Sequence, residues 1–453
     1  MFAPQLYLHE QQVIAGAERS MKRSFIGDVI RTLGTSAAVA ALGVAASVVM
    51  ARALGPEGKG SYAIVIQSIS ILITLGQFGL PEMMLYQMRA GRRRPDALAG
   101  NSMLILIATS LLVAMGLWIM YPMLADTLYK GVSSSLLWLA FWMVPSNLGF
   151  LFYSRLIQLD GRVEAYNALN LMQAGTWMLA LLAWLWIWPD RAEAAVLGLV
   201  TSQALTALCS VLLVRRWVAG KRWHWDWKLM SESLRGGMKV QVGMAAALLG
   251  QQLGIFVLNS FLDLCSVGWF STALGLTNFL LLASASVRTV LQAWMPGASV
   301  NPSVILERTV TATRHTAIVL LMGAVILAIL GRPLIRVLYG APFLPAYMPM
   351  LILLPSVLVR GISQVFTSYF AFEKRLGLPS VAAALAVGSN AVLAWLLVPQ
   401  LGMTGAALAT FAGQLASMLF LAAWFTRLTD RRLSELVPAF ADLRLYVSVL
   451  MNR

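Results

Sequence analysis

The stretch Thr316-Ala317-Ile318-Val319-Leu320-Leu321-Met322-Gly323-Ala324-Val325-Ile326-Leu327-Ala328-Ile329-Leu330-Gly331 sets the architecture. It carries no charge and continues through Arg332 and Pro333 to Arg336. As a helix, 316–336 is long enough to cross a hydrocarbon core about 30 Å thick, which takes roughly 20 apolar residues. Such runs recur along the chain, and twelve are expected: 32–52, 61–81, 99–120, 135–156, 166–188, 194–214, 238–260, 266–290, 316–336, 346–370, 379–399 and 403–425. Inside lipid each backbone polar group must be satisfied within its own segment, so these runs are read as helices. Pro81, Pro145 and Pro355 mark expected kinks, because each removes a helical hydrogen bond.

Composition agrees. Of 453 residues, 59% are hydrophobic and 12% charged, against about 45–50% and about 25% in soluble domains. Too few charges remain to cover a water-soluble surface, and the apolar content excludes disordered or collagen-like chains. The first 24 residues are polar and hold no apolar h-region, so no cleavable signal peptide is expected. A net charge of +15 would point to nucleic acid in a soluble protein. Here it has another source, the crowding of Lys and Arg in cytoplasmic loops, and no nucleic-acid partner is expected. Cys209 and Cys265 set no disulfide framework, and His9, His224 and His315 match no metal-ligand spacing. Neither metal nor cofactor is expected.

Twelve spans put both termini on one side. That side holds 26 of the 34 Lys and Arg, including Arg92, Arg93 and Arg94 and the run from Arg215 to Lys239. Arg52, Lys59, Lys130, Arg191, Arg332 and Arg336 lie opposite, and Arg288 and Arg360 lie within spans. Both termini are therefore expected in the cytoplasm. An offset of about 208 residues relates Gly60-Ser61-Tyr62 to Gly268-Trp269-Phe270, Pro145-Ser146 to Pro355-Ser356, and Gly198 to Gly405. The fold class that follows is all-α integral membrane, with about twelve transmembrane helices in two six-helix bundles related by a pseudo-twofold along the membrane normal. The expected divisions are a cytoplasmic N-terminal tail (1–24), an N-terminal bundle (25–214), a basic Trp-rich cytoplasmic linker (215–237), a C-terminal bundle (238–427) and a cytoplasmic tail (428–453). The tail carries the spacing of an interfacial helix.

Polar residues inside spans are the informative set, because the bilayer makes them costly. Arg360 lies nearest a span centre, five residues after Pro355, and Arg288 lies in the cytoplasmic half of span 8. Carboxamides are Gln251, Gln252, Asn259, Asn278, Gln364, Asn390 and Gln414. For these the plain alternative is interhelical hydrogen bonding, and for Arg288 it is snorkelling to the interface. Glu82 is the nearest approach to an in-span acid and the candidate coupling carboxylate, with an ordinary helix-end position as the alternative. Gly55-Pro56-Glu57-Gly58-Lys59-Gly60 fails the phosphate-loop pattern, since Gly60 stands where Ser or Thr is needed. A tight turn at Gly55, Gly58 and Gly60 is expected instead. No catalytic motif is present, so the chain does not read as an enzyme.

The run Met50-Ala51-Arg52-Ala53-Leu54-Gly55-Pro56-Glu57-Gly58-Lys59-Gly60-Ser61-Tyr62-Ala63, followed by Leu75-Gly76-Gln77-Phe78-Gly79-Leu80-Pro81, resembles the opening of bacterial polysaccharide-biosynthesis flippases. Val398-Pro399-Gln400-Leu401-Gly402-Met403-Thr404-Gly405-Ala406-Ala407 resembles their second signature. These flippases, of the O-antigen type, belong to the multidrug/oligosaccharidyl-lipid/polysaccharide exporter superfamily. The resemblance implies flipping of undecaprenyl-pyrophosphate-linked oligosaccharide from the cytoplasmic to the periplasmic leaflet of the bacterial inner membrane, by alternating access, in a monomer. The product would feed lipopolysaccharide or exopolysaccharide assembly. Implied partners are the lipid-linked oligosaccharide, membrane lipids, a polysaccharide polymerase and glycosyltransferases. Related lipid II flippases carry arginine inside the first span, whereas Arg31 and Arg52 here stand near its ends, which counts against a peptidoglycan precursor. The substrate-binding set read from the residues is Arg360, Arg288, Gln364, Gln251, Gln252, Asn259, Asn278 and Asn390. Two other readings remain open: a cation-coupled multidrug exporter of the same superfamily, and a non-transporting membrane protein of polysaccharide assembly.

Overall fold

The computed structural model describes residues 3–89, 94–125, 127–189, 191–218, 223–282, 284, 302–373, 375, 377–429, 431 and 433–436. Every regular element among them is helical: α1 (Ala3–Gly76), α2 (Leu80–Arg89), α3 (Pro95–Leu124), α4 (Ser134–Phe141), α5 (Met143–Leu159), α6 (Val163–Ile187) and α7 (Ala192–Trp217). Then follow α8 (Trp227–Phe261), α9 (Leu264–Phe279), α10 (Pro302–Leu338), α11 (Tyr347–Phe372) and α12 (Gly377–Thr429). Eight helical segments of these are long and apolar enough to cross a membrane, and α8 adds a ninth that is bent.

Two of the eight, Gly34–Gln87 and Gly377–Thr429, run 54 and 53 residues, roughly 80 Å if straight. Neither is straight. At Gly55 φ is +65°, and Pro56 starts a new helix. Lys59 Nζ then donates to Ser47 Oγ at 3.2 Å across a separation of 12 residues, which a straight helix would hold about 18 Å apart. The second hairpin turns at Gly402, φ +58°. A methyl group on Gly405 would collide with the carbonyl of Leu397, and one on Gly413 with that of Ala386, so the arms lie against each other. Gly55 thus makes the first reversal, as a residue without Cβ can. Gly60, expected in the turn, instead sits in the second arm and serves packing.

Most of the expected spans fall on helices, but α9 covers only 266–279 of span 8. Span 4 is α4 and α5 with a break at Trp142, three residues before Pro145. Pro145 has no N–H for the carbonyl four residues back, at Phe141, and its ring crowds that carbonyl. Pro81 opens α2 near its first turn, where no hydrogen bond is lost, while Pro355 is carried inside an unbroken α11. Residues 285–290 of span 8, with Arg288, and the tail from 437 to 453 lie outside the described residues.

The second arm of α1 is the central strut, with Ile64, Val65 and Ile69 fully buried. At the Gly60 end a Cβ on Gly60 would overlap the Leu264 carbonyl, and one on Gly268 would overlap that of Pro56. At its other end Gly79 and Gly237 meet in the same way. Gln241 accepts from Gly79 N at 2.8 Å and donates to the Thr74 carbonyl. Gln87 Nε2 donates to Ser233 Oγ at 2.8 Å nearby. The start of α8 is held to α3 and α5 by the residues just before it. Asp226 caps α8, accepting from Leu229 N at 3.0 Å, and pairs with Arg94 at 2.7 Å. Asn101 exchanges two hydrogen bonds with the Asp226 backbone, and Trp223 stacks on Tyr153 with centroids 5.4 Å apart. Trp225 and Trp227 remain exposed, as expected of indoles at a membrane boundary.

Gly60→Val should cost about 1–3 kcal/mol by forcing the two backbones apart, seen as a lower melting temperature in detergent. The Leu229 N–H, followed by the Arg94 charge, holds the Asp226 carboxyl below its ordinary value. Its contribution should therefore be present above about pH 3.9 and be lost as pH falls through that lowered value. Linker proteolysis across this range should show the loss, and Asp226→Asn should lack the pH dependence.

Candidate functional site

A cavity of about 160 Å³ lies between the ends of the α1 strut. Gln67 reaches it from α1, Gln252 and Ile255 from α8, Ser271 to Asn278 from α9, Ser356 to Arg360 from α11, and Thr410 and Gln414 from α12. Among the described residues its lining holds one cation, Arg360, four carboxamides (Gln67, Gln252, Asn278 and Gln414), and no carboxylate. Arg360 Nη1 donates to Asn278 Oδ1 at 3.3 Å. A mid-bilayer arginine costs about 2.5–3.5 kcal/mol on insertion scales. Carboxamide oxygens and a polar cavity offset part of that cost. The lining therefore carries net positive charge, with donors and acceptors suited to an anion and to hydroxyls.

An apolar groove of about 560 Å³ adjoins it, lined by Ala40, Ala41, Gly43 and Val44 of α1, Leu276 and Phe279 of α9, and Leu327 and Leu334 of α10. Gly275 lines both spaces. The groove ends toward the Gly55 turn at Ser47, Leu338 and Tyr339.

The structure brings Arg360, Gln252 and Asn278 together and places Gln364, Asn259 and Asn390 elsewhere. Gln364, one turn beyond Arg360, accepts a long 3.5 Å contact from Ser284 Oγ and does not line the cavity. Asn259 is buried and donates to the carbonyls of Leu128 and Lys130, tying α8 to the loop before α4. Asn390 is buried and donates to the Gly250 carbonyl at 2.7 Å. α8 bends by 45° between Gly250 and Gln252. A side chain drawing a carbonyl out of the helical ladder is an established cause of such a bend. Glu82 stands in the first turn of α2, favourable to the helix dipole, and is not among the cavity residues. Arg288 lies outside the described residues, as does the side chain of Gln251. Gln67 was not singled out from the sequence. It sits inside the apolar run Val65-Ile66-Gln67-Ser68-Ile69, the same signal that marked the other carboxamides.

The family description "Polysaccharide biosynthesis protein" matches residues 28–299. No curated protein matches the chain. Among solved structures, the lipid II flippase MurJ in an inward closed conformation superposes with TM-score 0.74 at 16% identity, covering 90% of this chain and 89% of that one. An inward-facing multidrug resistance MATE family transporter of the MOP superfamily gives 0.68 at 13%, covering 85% and 93%. A mutant form of the Vibrio cholerae MATE transporter VcmN gives 0.59 at 13%, covering 92% and 99%. The chain belongs to the polysaccharide biosynthesis protein family, and it shares its fold with these solved structures. Its apolar helices make it a multi-pass membrane protein.

Asn390→Ala should cost about 1–3 kcal/mol, the penalty of an unpaired buried carbonyl. It should lower the melting temperature while leaving an Arg360-dependent activity measurable at low temperature.

Proposed function

We propose that this protein flips an undecaprenyl-pyrophosphate-linked oligosaccharide from the cytoplasmic to the periplasmic leaflet for polysaccharide assembly. The observation that carries the reading is the cavity's charge: among the described residues, one arginine and four carboxamides line it, with no carboxylate. The arginine fork suits a phosphate oxygen pair, the carboxamides suit sugar hydroxyls, and the adjoining apolar groove suits a polyisoprenyl tail. A cation-coupled drug exporter needs an in-span acid to bind its ion or proton, and the described residues of the cavity lining offer none.

On this reading the two halves are six-helix bundles related by a pseudo-twofold. The pairing of Gly60 with Gly268, equivalent positions in the repeat, supports that relation. So does the matching use of Gly198 against Leu181 and Gly405 against Leu397. The bundles alternate access in the bacterial inner membrane, with both termini cytoplasmic and the monomer as the working unit. Glycosyltransferases would supply the cargo and a polymerase would receive it. Arg288 would meet the pyrophosphate from span 8.

Flipping of labelled lipid-linked oligosaccharide in reconstituted vesicles tests this. Arg360→Ala should abolish flipping with insertion unchanged, and Arg360→Lys should retain part, since charge survives without the paired geometry. Wild-type rates in Arg360→Ala would overturn the assignment.

A further inference from the structure

Lys59 stands opposite the basic side in the sequence reading, yet it is only 6% exposed. Its ammonium lies 4.4 Å from the Tyr339 ring centroid and 5.5 Å from that of Phe343. Its hydrogen bond goes to Ser47 Oγ at 3.2 Å. Among the described residues it makes no ion pair. The rings belong to the end of α10 and the turn after it, so the contact joins the two halves of the chain.

Arg52 makes a parallel contact from the same hairpin. Its Nε donates to the Leu338 carbonyl at 2.8 Å and its Nη2 to that of Val337. These are among the last carbonyls of α10, which have no partner within the helix. Both cations thus hold weaker partners than an anion would be. A charge-assisted bond to phosphate is stronger than one to a neutral carbonyl or a contact with a ring face. Their position matters as well. Ser47, Leu338 and Tyr339, which these cations touch, close the apolar groove at the end away from Gly275 and the Arg360 cavity.

We propose that Lys59, with Arg52, forms a second phosphoanion site at the outer end of this groove, closed by Tyr339, Phe343 and the α10 carbonyls until the lipid's phosphate arrives. The inference rests on the flippase reading above and adds the exit station. The anion passes from Arg360 to Lys59 while its tail stays in the groove. Because it pairs with the cations better than the rings and carbonyls do, it favours the state in which the α1 turn has left α10. A ligand can shift such an equilibrium only through this difference in affinity.

Ser271 lines the cavity one turn inward of Gly268, so a cysteine there reports opening of the outer end. The test uses full-length Ser271→Cys protein with Cys209 and Cys265 replaced by Ser, in vesicles, labelled by an impermeant maleimide from the Gly55-turn side. Undecaprenyl pyrophosphate should raise labelling several-fold, and the neutral alcohol of the same length should not. Lys59→Met keeps the apolar stem and should lose the response, while Lys59→Arg should keep it. Tyr339→Leu with Phe343→Leu leaves Lys59 in place and should raise labelling without lipid, which covers the case of a poorly folded Lys59→Met. Equal responses in Lys59→Met and wild type, or to alcohol and pyrophosphate, would overturn the site while leaving the flippase reading intact. Absence of any response in wild type, together with no flipping, would remove both.

Discussion

The structure depends on the approach of bare backbone to bare backbone along the second arm of α1. Gly60 meets the start of α9 at one end, and Gly79 meets Gly237 of α8 at the other. No side chain can occupy either place, so the backbones meet at both ends of the strut. The polar cavity lies between those ends. A transmembrane interface has little hydrophobic driving force, because lipid is as apolar as leucine, and close approach through small residues supplies the attraction instead. Contacts of this kind are flat and lack interlocking side chains, which suits surfaces that part and re-form.

Electrostatics inside this frame is one-sided. Arg360 in the cavity donates to the Asn278 carboxamide, and Lys59 at the groove end meets a hydroxyl and ring faces. A buried cation–carboxylate pair would be neutral and would compete with any anionic ligand. A cation held by a hydroxyl and two ring faces, as Lys59 is, stays available to one. Described carboxylates pair with cations elsewhere, among them Asp226 with Arg94 just before α8, and Asp160 with Arg162 after α5. There they fix loops and helix starts.

The rigid and the bent parts of the second half follow from the same economy of polar groups. Asp263 caps α9 through Ser266 N at 2.9 Å, and Trp269 Nε1 donates to the Pro342 carbonyl at 2.7 Å, so this end is well tied. α8 is held at its start by the residues just before it and at its far end by Asn259, against the loop before α4. The bend held by Asn390 lies between these attachments, beside the cavity residue Gln252.

The sequence alone determined that this is a helical membrane protein, where most of its spans lie, and where the chain reverses. Each of these depends on local facts: the length of an apolar run, a glycine before a proline, a proline without its N–H. It also marked Arg360, Gln252 and Asn278, because a polar residue in an apolar run is visible without knowing its neighbours. Which carboxamides face a cavity was decided by tertiary structure. Asn259, Asn390 and Gln252 carry the same signal, yet two of them satisfy backbone carbonyls and one lines the cavity, depending on which helix packs opposite. Gln67 joins residues nearly 350 positions away in the chain, and Lys59 lies between rings about 280 positions on. Such partners meet only when α1 folds against α9 and α10, and no local pattern encodes that meeting.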